Sequence, residues 1–285
     1  MMAERLKNFL RGFPVFYLWL HKIKIRAKIY KIRLFGLGYT ERIITGGPIQ
    51  GLRFVAARRV HYSKWFWNGT YEKETCCFLQ AIIPPKGVCY DIGANLGYHA
   101  LVMAEAAENG QVYAFEPIPQ VCEILQRNIA LNHKLNITIV SKVVTRMAGK
   151  IQLGINTFID QAAVKFVAED ESHIMCENVD YEGITLDGFV AEGNTFPFLI
   201  KIDVEGAEVD VLQGARGVLA QYHPLVLCET HGQAAARGVY EILCEHGYDL
   251  FIVHDGVRPI NSFEDMPDNM DEGHVFARPK DRNKS

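Results

Sequence analysis

From residue 88 onward, short runs that are apolar throughout alternate with longer amphipathic stretches. Such runs predict strands that are buried on both faces of a sheet. They lie at residues 88–90, 112–115, 137–140, 199–203, 225–229, 248–253 and 274–277. Strands of this kind separated by helices indicate an α/β fold with a mostly parallel sheet, covered by helices on both faces.

The amphipathic stretches between the apolar runs predict helices. Cys122, Leu125 and Ile129, for example, are spaced so that they share one helix face. The predicted helices cover residues 72–83, 97 to about 107, the stretch that follows Pro119, 206–220, and 233–246. Gly247 directly follows the last of them, as expected at a helix C-terminus.

Residues 154–183 interrupt the alternation just before the fourth predicted strand. They contain seven acidic residues and one basic residue, Lys165. An insertion at this point lies at the carboxyl edge of the sheet, where ligands bind in open α/β folds. The insertion is therefore either part of a substrate pocket or a solvated variable loop.

The N-terminal part of the chain has a different composition, and we predict a basic extension over residues 1–60 and a main domain over 61–285. Residues 1–42 carry ten Lys/Arg against two Glu, a net charge of +8, which leaves −11 for the remainder of a chain with net charge −3. An acidic main domain disfavours nucleic acid as the substrate, because neutralisation of phosphates dominates such binding. Residues 22–29 alternate as a strand does, and residues 13–20 are compatible with a helix.

The extension suggests two alternative roles. Basic residues between positions 5 and 33 lie beside aromatic residues such as Phe13 and Trp19, a combination that favours peripheral contact with an anionic membrane. The alternative is that the segment packs against the acidic main domain. The apolar run at 13–20 is shorter than the roughly 20 residues that span a bilayer, and no signal-peptide cleavage site follows it. Seven cysteines without a C-x-x-C pair indicate buried free thiols, so we expect a cytoplasmic protein.

A glycine turn follows the first strand of the alternating region. Its sequence is Asp91-Ile-Gly-Ala-Asn-Leu-Gly97, and the next strand ends at Glu116. The glycines permit close approach of a ligand to the backbone, and the acid can accept hydrogen bonds from ribose hydroxyls. The spacing is G-x-x-x-G rather than the dinucleotide-binding G-x-G-x-x-G, and Asp91 disfavours a diphosphate. These features favour a cationic nucleoside ligand, S-adenosylmethionine.

Four predicted strands end in a carboxylate, namely Asp91, Glu116, Asp203 and Glu229. Each alone could be a helix cap or a surface charge, but together they describe an acidic cleft at the carboxyl edge of the sheet. Either Asp203 or Glu229 could remove the proton of a hydroxyl acceptor. Lys201 lies on the same side of its strand as Asp203, and could orient an acid or form a structural ion pair.

Glu205, which opens the helix after the fourth strand, is a further candidate catalytic residue. Stabilisation of the helix N-terminus would also explain an acid at this position.

Several motifs resemble, in the same order, those of the FkbM family of S-adenosylmethionine-dependent methyltransferases, over roughly residues 70–250. They are Asp91 to Gly97, Phe115-Glu-Pro-Ile-Pro119, Asn128-Ile-Ala-Leu-Asn132, Thr185-Leu-Asp187, Lys201-Ile-Asp-Val-Glu-Gly-Ala-Glu208 and Val211-Leu-Gln-Gly-Ala215. The resemblance implies a Rossmann-like, seven-stranded sheet with a reversed final strand, and O-methylation of sugar or natural-product hydroxyls.

The resemblance also implies a cofactor site. By matching position, Asp91, Gly93, Asn95 and Glu116 would hold the cofactor, and Ala94, Gly97 and Pro117 are further candidates. The chain departs from the family pattern after the third strand, where Thr145 stands near the place of an acid that would face the adenine amine. The hydroxyl of Thr145 is the candidate replacement for that acid.

Three alternatives remain at this point. In a metal-assisted reaction, Asp203 and Glu229, with Glu205 nearby, would bind Mg²⁺ and lower the pKa of a hydroxyl. In a second alternative, the chain is an inactive adaptor that binds the cofactor. A nicotinamide oxidoreductase is third, because the third glycine of its motif is missing. The fold and donor site do not identify the acceptor or the oligomeric state.

Overall fold

The computed structural model describes residues 39–57, 63–134, 136–156, 176–267 and 273–280. In chain order, the strands are β1 (Tyr39–Ile43), β2 (Arg53–Ala57), β3 (Val88–Ile92), β4 (Gln111–Phe115), β5 (Ile137–Val140), β6 (Val143–Val144), β7 (Gly149–Asn156), β8 (Cys176–Ile184), β9 (Leu199–Ile202), β10 (Leu225–Cys228), β11 (Tyr248–Val253), β12 (Val257–Ile260) and β13 (His274–Pro279). The helices are α1 (Ser63–Asn68), α2 (Lys73–Ile82), α3 (Tyr98–Ala106), α4 (Pro119–Leu131), α5 (Leu186–Ala191), α6 (Glu208–Gln213), α7 (Arg216–Tyr222) and α8 (Gln233–Glu245), with a 3₁₀ turn at Phe263–Asp265.

The main sheet has the strand order β12-β11-β13-β10-β9-β3-β4-β5. Strands β10, β9, β3, β4 and β5 are parallel, and β13 is antiparallel to both of its neighbours, β10 and β11. The seven strands expected from the sequence are all present and the α/β class is confirmed. An eighth strand, β12, pairs antiparallel with β11 at the edge.

Both faces of this sheet are buried, because successive strand residues belong to different core clusters. Leu199, Leu225 and Leu227 pack with residues of α2 and α3 on one face. Ile200 and Val226 pack on the other face, with residues of α6, α7 and α8. The largely apolar character of these strands is the result of burial on both sides.

The predicted helix over 206–220 is in fact two helices, α6 and α7. They are separated at Gly214 and Ala215, where Gly214 lies against the backbone of Thr145. A Cβ added to Gly214 would lie 2.1 Å from the Thr145 carbonyl oxygen. The break coincides with the close approach of the segment after β6, a contact that helical periodicity does not reveal.

The β1–β2 hairpin packs on the main domain. Phe54 is fully buried in the same core cluster as α3. The Val55 N–H donates to Asn128 Oδ1 at 2.6 Å, and Asn128 Nδ2 donates back to the Val55 carbonyl at 3.2 Å. Residues 39–57 of the predicted extension thus contribute to the core of the main domain. The predicted helix at 13–20, the strand at 22–29 and the basic segment lie outside the described residues.

The predicted insertion begins as a β-hairpin. Strands β7 and β8 pair antiparallel, and β6 adds to β8, which gives a three-stranded sheet of order β6-β8-β7. Residues 157–175 lie outside the described part. Leu153 of β7 and Val144 of β6, which precede the insertion, line the cleft at the carboxyl edge of the main sheet. A role of residues 154–183 in the substrate pocket stays a prediction. Among the described helices, none is long and apolar enough to cross a membrane.

Candidate active site

The glycine turn after β3 brings the backbone close to β9. Gly93 has φ +83°, and its N–H donates to the Phe115 carbonyl at 3.0 Å. A Cβ at this position would lie 1.9 Å from the Asp203 carbonyl oxygen, so only glycine fits without displacing the backbone. Asn95 also has a positive φ of 49°. Gly93 and Asn95 both line the cleft, as the sequence predicts for a cofactor-binding turn.

Gly93→Ala is expected to destabilise the fold by about 2 kcal/mol or more, because the new methyl group adds a backbone clash to an unfavourable φ. Thermal or denaturant unfolding measures the change. Gly247→Ala is the matched control, since Gly247 has φ +77° but no atom of the described chain lies within 4 Å of an added Cβ. The control should lose only about 1 kcal/mol. Equal losses in the two variants would contradict the packing argument at Gly93.

Glu116, at the end of β4, is buried at the cleft wall with 6% of its surface exposed. Its Oε2 accepts from the Asn95 N–H at 3.1 Å, and its Oε1 accepts from the Ile118 N–H at 2.9 Å. Burial raises the pKa of this carboxyl to about 7, although the two backbone donors act to lower it. The backbone fixes the carboxylate, whose remaining lone pairs are available to hydroxyl donors in the cleft.

Asp91 and Lys201 form a buried pair beneath the cleft. Both are almost fully inaccessible, with Lys201 Nζ 3.8 Å from Asp91 Oδ1 and 2.9 Å from Asp203 Oδ2. Burial raises the pKa of Asp91, and Lys201 opposes that shift. Burial disfavours the ammonium, but Asp203 and Asp91 outweigh burial and raise the pKa of Lys201. Lys201 therefore fixes the position of the Asp203 carboxylate from the buried side of the cleft wall.

Four carboxylates line the open side of the cleft. They are Glu72, Asp203, Glu205 and Glu229. Asp203, Glu205 and Glu229 follow the adjacent parallel strands β9 and β10, as the sequence predicts. Glu72 directly precedes α2 and has a left-handed backbone conformation, with φ 40°. The edge of the sheet therefore carries a cluster of carboxylates.

His231 connects several of these carboxylates. Its Nδ1 lies 2.7 Å from Oε1 of the buried Glu208, and its Nε2 lies 3.2 Å from Glu229 Oε1 and 3.6 Å from Glu205 Oε2. Burial disfavours the imidazolium, but Glu208 and Glu229 raise the pKa of His231 to about 10. Burial acts to raise the pKa of Glu229, yet His231 and His274 lower it to about 2. Glu229 is therefore a firmly ionised and firmly held anion.

A second histidine cluster lies on the other side of Glu229. His99 Nε2 is 3.2 Å from Glu72 Oε2, and His274 Nε2 is 3.4 Å from the same oxygen and 3.5 Å from Glu229 Oε2. Sequence reasoning missed Glu72, His99, His231 and His274. Of these four residues, only His231 could have been recognised from the sequence, because it comes two residues after the strand-end acid Glu229.

Some predicted cofactor residues do not line the cleft within the described chain. Among the residues that do line it are Gly93, Asn95, Glu116 and Pro117. Asp91 and Ala94 are buried and are not among the lining residues. Gly97 is the left-handed residue before α3, where an added Cβ would meet Leu125 at 2.3 Å. Thr145 is buried, and its N–H donates to the Ile184 carbonyl at 2.9 Å. A contact between its hydroxyl and the cofactor stays a prediction.

The reversed strand β13 within a parallel sheet, together with a glycine turn and an acidic edge, defines a Rossmann-like methyltransferase fold. The family described as the methyltransferase FkbM domain matches residues 91–250. That match covers more than half of the chain, and the chain belongs to the FkbM methyltransferase family.

Individual relatives are similar at a lower level. The methyltransferase sdnD of Sordaria araneosa is 29% identical over 202 residues, which cover 61% of this chain and 78% of that protein. The hexuronic acid methyltransferase AglP of Haloferax volcanii is 27% identical over 167 residues, which cover 55% and 62% respectively. A crystal structure of methyltransferase FkbM from Methylobacillus flagellatus superimposes with a TM-score of 0.47 at 16% identity, over 69% of this chain and 44% of that one.

Proposed function

We propose that the protein transfers a methyl group from S-adenosylmethionine to a hydroxyl of a sugar, glycolipid or natural-product-like acceptor. The observation that carries this proposal is the single cleft that joins the Glu116 pocket to the carboxylates after β9 and β10. One half suits a nucleoside, and the other half suits a hydroxyl that must lose a proton. The name of one relative, a hexuronic acid methyltransferase, supports a sugar-type acceptor.

The residues of the turn fit the proposed donor. Glu116 presents a fixed carboxylate for ribose hydroxyls, and Gly93 leaves the backbone uncovered beside it. The acidic edge favours a cation, and S-adenosylmethionine supplies an electrophilic methyl group on a sulfonium. No part of this arrangement requires a diphosphate, which argues against the nicotinamide alternative.

Asp203 is the proposed general base. Its side chain is 22% exposed, compared with 5% for Glu229, so it is the more accessible of the two predicted candidates. Lys201 Nζ, at 2.9 Å from Oδ2, fixes the orientation of Asp203. In this role Asp203 accepts the proton of the acceptor hydroxyl as the oxygen becomes a nucleophile. Glu205 and Glu229 complete the anionic wall, and His231 holds both of them.

A Mg²⁺-assisted reaction is the second candidate. Asp203, Glu205 and His231 each offer a ligand atom, and these atoms lie within 4.8 Å of one another. The sequence suggested Asp203 and Glu229, with Glu205 nearby, whereas the group of close ligand atoms contains His231 in place of Glu229. Turnover that requires added Mg²⁺ after chelation, and that Glu205→Gln weakens, would favour this candidate over carboxylate catalysis alone.

Incubation of the full-length chain with methyl-labelled S-adenosylmethionine and a panel of hydroxylated sugars, glycolipids and natural products tests the proposal. We expect label in at least one acceptor at an oxygen, with S-adenosylhomocysteine released in equal amount. Mass spectrometry of fragments identifies the methylated atom. Binding of S-adenosylhomocysteine without transfer to any acceptor, or to an extract of cellular metabolites, would instead indicate the cofactor-binding adaptor.

We also propose that residues 5–33 bring the cleft to lipid-linked acceptors by binding an anionic membrane. Each Lys or Arg near such a surface contributes about 1 kcal/mol, and salt screens the attraction. Full-length protein should float with anionic vesicles at low salt and remain behind at high salt or with zwitterionic vesicles. Replacement of Lys22, Lys24 and Arg26 with Glu should abolish flotation. Equal flotation of this variant would contradict the proposal.

A further inference from the structure

Two histidines and two carboxylates converge in the wall of the cleft, on the side away from His231. They are Glu72, His99, Glu229 and His274. Relative exposures are 6% for His99, 4% for Glu229 and 3% for His274, and the Glu72 side chain is 11% exposed. Ligand atoms of Glu72, Glu229 and His274 all lie within 4.8 Å of one another, and His99 Nε2 reaches the same Glu72 oxygen at 3.2 Å.

The atoms at the centre of this cluster lie at ion-pair distances from one another, but these contacts lack hydrogen-bond geometry. Glu72 Oε2, His99 Nε2 and His274 Nε2 are all buried, and none has a hydrogen-bond partner within the described residues. A buried polar atom without a partner is destabilising by about 1–3 kcal/mol, so three at one point require an explanation. Because ligand atoms of Glu72, Glu229 and His274 share one small volume, a single bound group would contact all three residues, with His99 Nε2 next to the Glu72 oxygen.

We propose that Glu72, Glu229 and His274, with His99 as a fourth ligand, bind a divalent transition-metal ion such as Zn²⁺. Imidazole nitrogens together with carboxylate oxygens are the donors that such ions prefer, whereas Mg²⁺ and Ca²⁺ favour oxygen alone. A doubly charged cation also neutralises two carboxylates that are held close together away from water.

The groups around the cluster orient its ligands as metal sites require. His274 Nδ1 lies 3.2 Å from Thr75 Oγ1, which leaves Nε2 directed at the two carboxylates. The other oxygen of Glu229, Oε1, lies 3.2 Å from His231 Nε2, so Oε2 remains for the cluster. Each ligand comes from a different element, and Glu72 and Glu229 also line the cleft, which gives an ion a route from solvent.

The second group of possible metal ligands in the cleft consists of Asp203, Glu205 and His231, and its polar atoms make more hydrogen bonds. Asp203 Oδ2 is 2.9 Å from Lys201 Nζ, and His231 Nδ1 is 2.7 Å from Glu208 Oε1. Glu205 and Asp203 are also more exposed to water than the proposed ligands. Polar atoms there already have partners, so the buried cluster is the stronger transition-metal site.

Calorimetric titration of the chelator-treated, full-length protein with Zn²⁺ and with Mg²⁺ tests the site. We expect about one Zn²⁺ per chain, no comparable binding of Mg²⁺, and a Zn²⁺-dependent rise in the thermal midpoint. His274→Asn removes Nε2 and keeps a polar atom near Nδ1, and Glu72→Gln removes the charge at constant shape. Each should weaken Zn²⁺ binding about 10–100-fold or more.

His254→Asn is the matched control, because His254 lies 4.0 Å from Glu74 and 3.8 Å from Asp255 on the surface. It should leave Zn²⁺ binding unchanged. Pulsed electron paramagnetic resonance of the wild-type protein loaded with Cu²⁺ provides a readout that needs no variant, and should show coupling to imidazole nitrogens.

The proposal is overturned if the wild-type protein binds no Zn²⁺, if the Cu²⁺ spectrum lacks nitrogen coupling, or if His254→Asn weakens binding as much as His274→Asn does. None of these measurements uses turnover, so the site and the proposed methyl transfer are tested separately.

Discussion

Asp203→Asn is expected to lower kcat by about 10²–10⁴-fold, the usual effect of removing a general base. Asparagine keeps an oxygen that can accept from Lys201, so the cleft wall should retain its shape, but the amide cannot take up the proton of the acceptor. Affinity for S-adenosylhomocysteine should change little. Steady-state kinetics with an acceptor from the panel, together with calorimetric titration of the product, separates the two effects.

Two further variants serve as a comparison and a control for Asp203→Asn. Glu229→Gln should have a smaller effect than Asp203→Asn, because Glu229 is more buried and is held by histidines. Asp210→Asn is the matched control, since Asp210 on α6 contacts Arg146 at 3.6 Å and does not line the cleft among the described residues. Full activity of Asp203→Asn would rule out its role as base. A parallel loss of product affinity would place Asp203 in the donor site instead.

Glu116→Gln is expected to remove most of the increase in thermal midpoint that S-adenosylhomocysteine produces in the wild-type protein. Hydrogen bonds to a charged acceptor are worth roughly 1.5–3 kcal/mol each, and two ribose hydroxyls would lose one. The predicted loss of affinity is therefore at least about tenfold. An unchanged midpoint shift would mean that Glu116 does not face the ribose.

The pH dependence of this variant provides a second, independent signature. Because burial raises the pKa of Glu116 from 4.5 to about 7, the folded state favours the protonated carboxyl. That contribution to stability is present below about pH 4.5 and is lost as the pH rises through about 7. Ribose hydroxyls favour the ionised form, so product affinity should rise over the same interval. Both trends should flatten in Glu116→Gln, and should persist in Glu123→Gln, a control on α4.

The position of the strand-end carboxylates in one cleft could be predicted from sequence because it follows from the order of the strands. In a parallel sheet, carboxyl ends of strands meet at one edge, so the ends of β3, β4, β9 and β10 had to be neighbours once the strands were recognised. Apolar runs that are buried on both faces are easy to recognise. Glu116, Asp203 and Glu229 were found in this way.

The remaining part of the site depends on contacts between segments that are distant in sequence. Glu72 precedes a helix, His99 lies in the first turn of α3, and His274 begins β13. None of these has a local motif, and each has an ordinary alternative as a capping or core residue. Their proximity follows from the packing of α2 against α3 and from the position of β13, which hydrophobic periodicity does not specify. The break at Gly214 was missed for the same reason, since its cause is the backbone of Thr145.

The position of β13 has a consequence for how the molecule acquires its structure. This strand follows every other described strand in sequence, yet it lies inside the sheet, between β10 and β11. Its partners β10 and β11 are therefore synthesised before the strand that joins them. The glycine turn after β3, which contacts the end of β4, is built from segments that are close in sequence. The cluster of Glu72, Glu229 and His274 can form only after β13, which carries His274, has joined the sheet. Formation of the cluster therefore indicates that the sheet is complete.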